Sequence, residues 1–183
     1  MRIPFIAATL ALGLIACQKT ADTNDNEAIA YNDANLTADA NLGATAAGVD
    51  GTFLTEAIQG DAGEVAMGKL AQANGSSQKV KDFGAMLQSE HGAHKDKLAA
   101  MASTAGLTVA DEPSAEAKAN LAKLSALHGS AFDTAFKAAM IEDHEKDIAK
   151  YEKQAAGTDA QTAAMAKETL PTLHKHLDTA KAL

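Results

Sequence analysis

The chain has 183 residues, enough for one core-forming domain with appended segments. Hydrophobic residues make up 46% of it and aromatics only 4%, with no Trp and 3 Pro, a composition of helix formers that argues against a strand-rich fold. The formal net charge is -8 and Arg2 is the single arginine, so no basic, aromatic-interleaved surface exists for nucleic acid.

The first stretch, MRIPFIAATLALGLIAC, places one positive residue before an apolar run of about a dozen residues, too short for a bilayer core that needs about 20. Residues 1–16 are therefore expected to be a signal peptide. Its end, Leu14-Ile15-Ala16-Cys17, resembles the lipobox of bacterial lipoproteins, in which the cysteine is lipidated and the chain is cut just before it. The alternative is a plain secretory signal that ends near a cysteine. Cys17 is the only cysteine, and an unpaired exported thiol would be a liability, which favours lipidation. The lipobox implies a membrane partner through an N-terminal lipid anchor. Gln18 after the cysteine implies an outer membrane lipoprotein facing the periplasm, with inner-membrane retention as the other outcome. Residues 17–50, rich in Asn, Asp, Ala and Thr, are expected to carry the lipid and to form a disordered acidic linker. At about 5–6 Å times the square root of its length, such a linker reaches roughly 30 Å.

Residues 51–183 carry a helical pattern broken at NGSS (74–77), AGLTVADEPS (105–114), LHGS (127–130) and AGTD (156–159). Each break offers a Gly stop and a Ser, Thr or Asp to cap the next helix. Long helices are expected near 52–73, 77–105, 130–156 and 159–182, with a shorter one near 114–127. The fold class is all-α, a four-helix bundle with an extra short helix between the second and third long helices. The long connection suits a ferritin-type crossover, and a plain up-down-up-down order is the competing topology. Pro171 removes a backbone donor and crowds the carbonyl of Lys167, so the last helix is expected to kink there or to be two pieces.

Core stripes at alternating spacings of three and four each carry a polar interruption. The first helix runs Phe53, Ala57, Gly60, Glu64, Met67, Ala71, and the second Gly84, Leu87, His91, His94, Leu98, Met101. The third long helix runs Phe132, Phe136, Met140, His144, Ile148, Tyr151, and the fourth Ala166, Thr169, Leu173, His176, Ala180, Leu183. A single imidazole on such a stripe is commonly satisfied by a carbonyl or water, but four coincident interruptions call for one explanation. Burying a polar group without a partner costs on the order of 1–3 kcal/mol, and an ionised carboxylate costs more. Glu64 therefore needs a cation: a metal, a protonated histidine, or Lys69. Glu64, His91, His144 and His176 are the candidate metal ligands, with Glu90, Asp143 and His94 as auxiliary or orienting groups. Nitrogen-rich ligands suit one transition-metal ion such as Fe, Cu or Zn. Height along the helices argues for caution: Glu64 lies about 9 residues before the first turn and His91 about 14 after it, an offset of roughly 7 Å at 1.5 Å per residue. A split arrangement, with Glu64 meeting one histidine and the others meeting water or acids, is equally consistent. Met67 and Met140 read as core fillers and His128 as a solvated loop residue.

No catalytic triad, phosphate loop, CxxC pair or HExxH is present, so nucleophilic catalysis has no supporting constellation, and a ferroxidase-like enzyme ranks third because the Glu-x-x-His pair of di-iron bundles is missing. The segments FLTEAIQGDAGEVAMGKLA, EHGAHKDKL, AFDTAFKAAMIEDHEKDIAKYE and LPTLHKHL resemble the bacterial domain-of-unknown-function family number 4142. The matching positions are Glu64, His91, Asp143 with His144, and His176-Leu177 after Leu170-Pro171. Glu90 departs from the Asp usual before the first histidine, and His94 is outside the pattern. The resemblance implies a ferritin-like bundle, an exported or lipid-anchored chain, and a frequent label of outer membrane protein; it implies no activity. Two functions stay open: a metal-binding envelope lipoprotein for storage, buffering or stress protection, or a non-enzymatic interaction module with a buried Glu/His hydrogen-bond network.

Overall fold

The computed structural model describes residues 48–183. The expected signal peptide, the lipidation at Cys17 and nearly all of the expected linker lie outside the described residues. The linker's last residues do not. Val49 is buried in the core, the Gly48 carbonyl accepts from the Gln161 amide at 2.9 Å, and Asp50 caps the first helix, so the packed unit reaches back past the expected boundary at 51.

The described residues form five helices: α1 (Gly51–Asn74), α2 (Gln78–Thr104), α3 (Ala115–Ser125), α4 (Gly129–Ala155) and α5 (Ala160–Lys181). Their starts follow the capping chemistry in part. Asp50 accepts from Phe53 N–H at 2.9 Å, Ser77 from Val80 N–H at 3.1 Å and Ser114 from Ala117 N–H at 3.1 Å. His128 and Asp159, before α4 and α5, make no side-chain cap bond. Gly106, at φ +74°, ends α2 in a Schellman motif: Leu107 N–H bonds to Ala102 C=O and Gly106 N–H to Ser103 C=O. Asp133 on α4 ties down the α1–α2 turn, accepting from the amides of Ser76 and Ser77 and from the Ser76 hydroxyl. Helix α5 runs through Pro171 as one element rather than two, with the proline on its exposed side.

The order of contacts fixes the topology. Phe53 packs on Tyr151 and Glu56 pairs with Lys150, while Met67 shares a cluster with Phe136, so α1 and α4 run antiparallel. Phe83 meets Phe136 and His94 meets Tyr151, so α2 and α4 run parallel. A chain leaving α2 must therefore travel back along the bundle before α4 begins. The connection with α3 does this: Lys146 of α4 reaches Glu116 at its start, and the Leu127 carbonyl accepts from Asn74 at its end. This is the ferritin-type crossover, and it excludes the up-down-up-down order. Backbones approach closely where α1 crosses α2, since a Cβ at Gly84 would lie 2.7 Å from the Ala71 Cβ.

Two apolar clusters fill the ends of the bundle. One gathers Phe53, Leu54, Ile58, Leu98, Ile148 and Tyr151, and the other Met67, Val80, Phe83, Leu87, Phe132 and Phe136. Each fully buried side chain of this size stabilises the fold by about 1.5–3 kcal/mol. Between the clusters, at mid-height on all four long helices, stand Asp61, Glu64, His91, His144 and His176, all 5% exposed or less.

Candidate metal centre

The apolar stripes carry these polar groups inward, and their partners define two halves that meet at His144. In the first half, Asp61 Oδ1 lies 2.8 Å from His91 Nδ1 and Asp61 Oδ2 lies 2.8 Å from His94 Nδ1. Glu90 Oε2 lies 2.9 Å from His176 Nε2, and Lys175 approaches the other oxygen of Glu90 at 3.3 Å. His144 Nδ1 lies 2.9 Å from the Met140 carbonyl, one turn back. Burial tends to raise the Asp61 pKa, but the N–H groups of His91 and His94 outweigh it and hold the carboxyl below its ordinary value. Burial and the bonds from His176 and Lys175 act on Glu90 the same way, with the same net lowering.

Ionised carboxylates and carbonyls only accept, so these contacts assign the ring protons. His91 donates from Nδ1, His176 from Nε2 and His144 from Nδ1. A ring that carries this one proton is left with a lone pair on its other nitrogen. For His91 and His176 those nitrogens, Nε2 and Nδ1, stand 3.2 Å apart. Two lone pairs at that separation repel unless a proton or a cation lies between them. His144 Nε2 is buried without a hydrogen-bond partner among the described residues. The ring centroids of His144 lie 5.7 Å from His91 and 5.4 Å from His176, and one ring nitrogen from each of the three lies within 4.8 Å of the others. Burial, then the neighbouring His91 and His176, push the His144 pKa down to about 4, and burial lowers that of His176. Both rings are therefore neutral at pH 7 and able to ligate.

These three ring nitrogens could hold a metal ion. Ligand nitrogens at about 2.0–2.1 Å from a tetrahedral ion lie about 3.3–3.4 Å apart, close to the 3.2 Å seen here. The outward nitrogens carry the carboxylate or carbonyl partners that orient ligating histidines. A cleft of about 280 Å³ between α2 and α5, lined by Glu90, His91, His94, Thr169 and His176, leads toward this half from solvent.

The second half is acidic. Glu64 Oε1 lies 3.6 Å from His144 Nδ1, beyond hydrogen-bond reach, and among the described residues neither Glu64 oxygen finds a hydrogen-bond donor. Asp143 lies beside it, and Glu64, Asp143 and His144 form a second group with donor atoms within 4.8 Å. Burial foremost, then Asp143, push Glu64 well above the usual carboxylate range. Asp147, one turn along α4 from Asp143 and 19% exposed, is raised to about 6 by burial and by Asp143.

The residues expected from sequence are thus distributed rather than gathered. His91, His144 and His176 come together, while Glu64 stands with Asp143 on the Nδ1 side of His144. Glu90 orients His176 rather than its neighbour His91. Asp143 belongs to the Glu64 group instead of holding an imidazole. His94 shares Asp61 with His91, and its Nε2 lies 3.1 Å from the Thr169 hydroxyl, outside both groups. Lys69, offered as a counter-ion for Glu64, is exposed on α1. Asp61 and Asp147 were missing from the expected set. The signal for Asp61 was its spacing four residues after buried Ala57 and three before Glu64.

The chain belongs to the family described as a domain of unknown function, DUF4142, whose model matches residues 34–183. Among solved structures, the crystal structure of a DUF305 fragment from Deinococcus radiodurans is similar with a TM-score of 0.64 at 16% identity, covering 72% of this chain and 91% of that one. At that identity the likeness carries the fold alone, a bundle of helices. No curated protein matches the chain.

Proposed function

We propose that this member of the DUF4142 family is a lipid-anchored envelope protein that binds one transition-metal ion through His91 Nε2, His176 Nδ1 and His144 Nε2, for storage, buffering or protection from metal stress. The observation that carries the reading is the pair of opposed ring nitrogens 3.2 Å apart, whose outer nitrogens are both committed to carboxylates. Asp61 and Glu90 hold the ligating lone pairs inward and add negative charge behind the rings. Three protein nitrogens leave a further coordination position free, which suits an ion that must be released again more than one built permanently into a fold. Imidazole suits Zn, Cu and Fe alike. The anchor is argued from Leu14-Ile15-Ala16-Cys17 and predicts that Cys17→Ser releases the chain from the membrane fraction.

Elemental analysis of the purified full chain, followed by calorimetry with Zn2+, Cu2+ and Fe2+, tests the ligand set. One ion per chain is expected, and His144→Ala should weaken binding by more than the roughly 10–100-fold typical of losing an outer partner. Protein that is purified metal-free and ignores all three ions overturns the reading. It leaves the proton-sharing alternative, in which an imidazolium occupies the 3.2 Å contact between His91 and His176.

A further inference from the structure

A second cleft, of about 370 Å³, opens between α1, α3 and α4, on the bundle edge opposite the one that leads to the histidines. Its lining includes Gly60, Glu64, Asp143 and Asp147, with Lys146 and Lys150 also along it. A Cβ at Gly60 would meet nothing within 4 Å, so the absence of a side chain there keeps space open. Glu64 lines this cleft while only 2% exposed, and among the described residues neither of its oxygens meets a hydrogen-bond donor, only the acidic Asp143 beside it. A buried carboxylate left in that state is costly unless something supplies positive charge or donors. The nearby lysines are engaged elsewhere. Lys146 pairs with Glu116 and Glu142 at 2.9 Å each, and Lys150 is shared between Glu56 at 3.7 Å and Asp147 at 3.4 Å.

We infer that Glu64, Asp143 and Asp147 form a second cation site in the α1/α3/α4 cleft, distinct from the three histidines, that takes a hard divalent ion of the Mn2+ class. The site goes beyond the histidine reading and does not depend on it. Three carboxylates without a free imidazole or thiolate form an oxygen set, which selects hard cations over Cu or Zn. His144 does not join it, because its Nδ1–H is committed to the Met140 carbonyl and presents a proton to Glu64 Oε1 at 3.6 Å. The His144 ring therefore stands between the two sites as a shared wall. An ion on Glu64 draws that carboxylate's charge away from His144, so the hard-ion site and the histidine site influence each other through one side chain.

The test is Mn2+ binding to the full chain at pH 7.5, read by loss of the free-ion electron paramagnetic resonance signal, with and without one prior equivalent of Zn2+ per chain, which the imidazole nitrogens take first. One bound Mn2+ per chain is expected under both conditions, and Glu64→Gln and Asp143→Asn should each weaken it at least 10-fold. Circular dichroism and melting of both variants confirm that they fold, since each swap is nearly isosteric. No bound Mn2+ overturns the inference. So does Mn2+ that Zn2+ displaces, or that ignores Glu64→Gln but is lost in His176→Gln, because that ion sits on the imidazoles. Failure of Zn2+ binding with Mn2+ retained would count against the histidine site alone.

Discussion

The two halves that meet at His144 are equally buried but differ in how their polar atoms are used. On the histidine side every outward nitrogen has an acceptor at 2.8 to 2.9 Å, and the inward nitrogens of His91, His144 and His176 are left facing a common space. On the carboxylate side neither Glu64 oxygen finds a hydrogen-bond donor among the described residues, and burial and Asp143 raise the cost of ionising both Glu64 and Asp147. The first arrangement is rigid, with ring orientation set before any ion arrives. The second is unsatisfied, with charge held in reserve by burial. A cluster of buried titratable residues can therefore contain a preorganised half and a strained half, and the hydrogen-bond partners distinguish them where burial does not.

Acid should break the histidine half first. His144 has a folded pKa of about 4 against an ordinary 6.5, so between those values the unfolded chain takes up a proton that the folded chain refuses. Its contribution is present above pH 6.5 and lost as pH falls toward 4. At 1.36 kcal/mol per pKa unit the loss is on the order of 3 kcal/mol in metal-free protein. Urea denaturation from pH 7 to 4 should show it, and His144→Gln should flatten the slope. A slope unchanged by that variant would mean that His144 is not held neutral by its surroundings.

A smaller effect isolates the orienting carboxylate. Asp61→Asn keeps size but offers one acceptor oxygen where Asp61 serves two N–H groups, His91 and His94. Zn2+ affinity should fall by about 10–100-fold, because His91 is free to present the wrong nitrogen. Competition with a chromophoric chelator measures this. Wild-type affinity in the variant would show that the packing of the ring, and not Asp61, sets its orientation.

The fold was largely legible in the sequence. Gly-bearing breaks and stripes at spacings of three and four located all five helices to within a few residues. The stripes also placed His91, His144 and His176 inward, because buried histidines obey the same periodicity as the Phe and Leu around them. What the stripes could not show was level. Asp61 precedes Gly75 by 14 residues and His91 follows Ser77 by 14, so the two stand at the same height across the α1–α2 turn. Glu64, three residues nearer the turn, falls short of His91 and meets α4 instead. Counting from the turn for every acid on α1, rather than only for the acid on the chosen stripe, would have found Asp61. Asp147 was hidden for a different reason: it lies off the α4 stripe, in the cleft that α1, α3 and α4 line together.

The carboxylate half carries the smallest prediction. Asp147 has its pKa raised from 3.8 to about 6 by burial and by Asp143, so the folded state holds a proton that the unfolded state has already released. The protonated group's advantage is present below pH 3.8 and lost as pH rises through 6, leaving an ionised Asp147 that destabilises the metal-free fold at pH 7. Its ion pair with Lys150 at 3.4 Å offsets part of this, and the partly exposed side chain is screened by solvent. Asp147→Asn should therefore raise metal-free stability at pH 7 by about 1–2 kcal/mol, with little change at pH 3.5. Saturating Mn2+ reverses the ranking, because an ion bound to Glu64, Asp143 and Asp147 stabilises the wild type by mass action and the variant much less. Melting both proteins with and without Mn2+ reads the crossover. A variant less stable than wild type without any ion would mean that the Lys150 pair outweighs the crowding of acids, and that the carboxylate half is satisfied rather than strained.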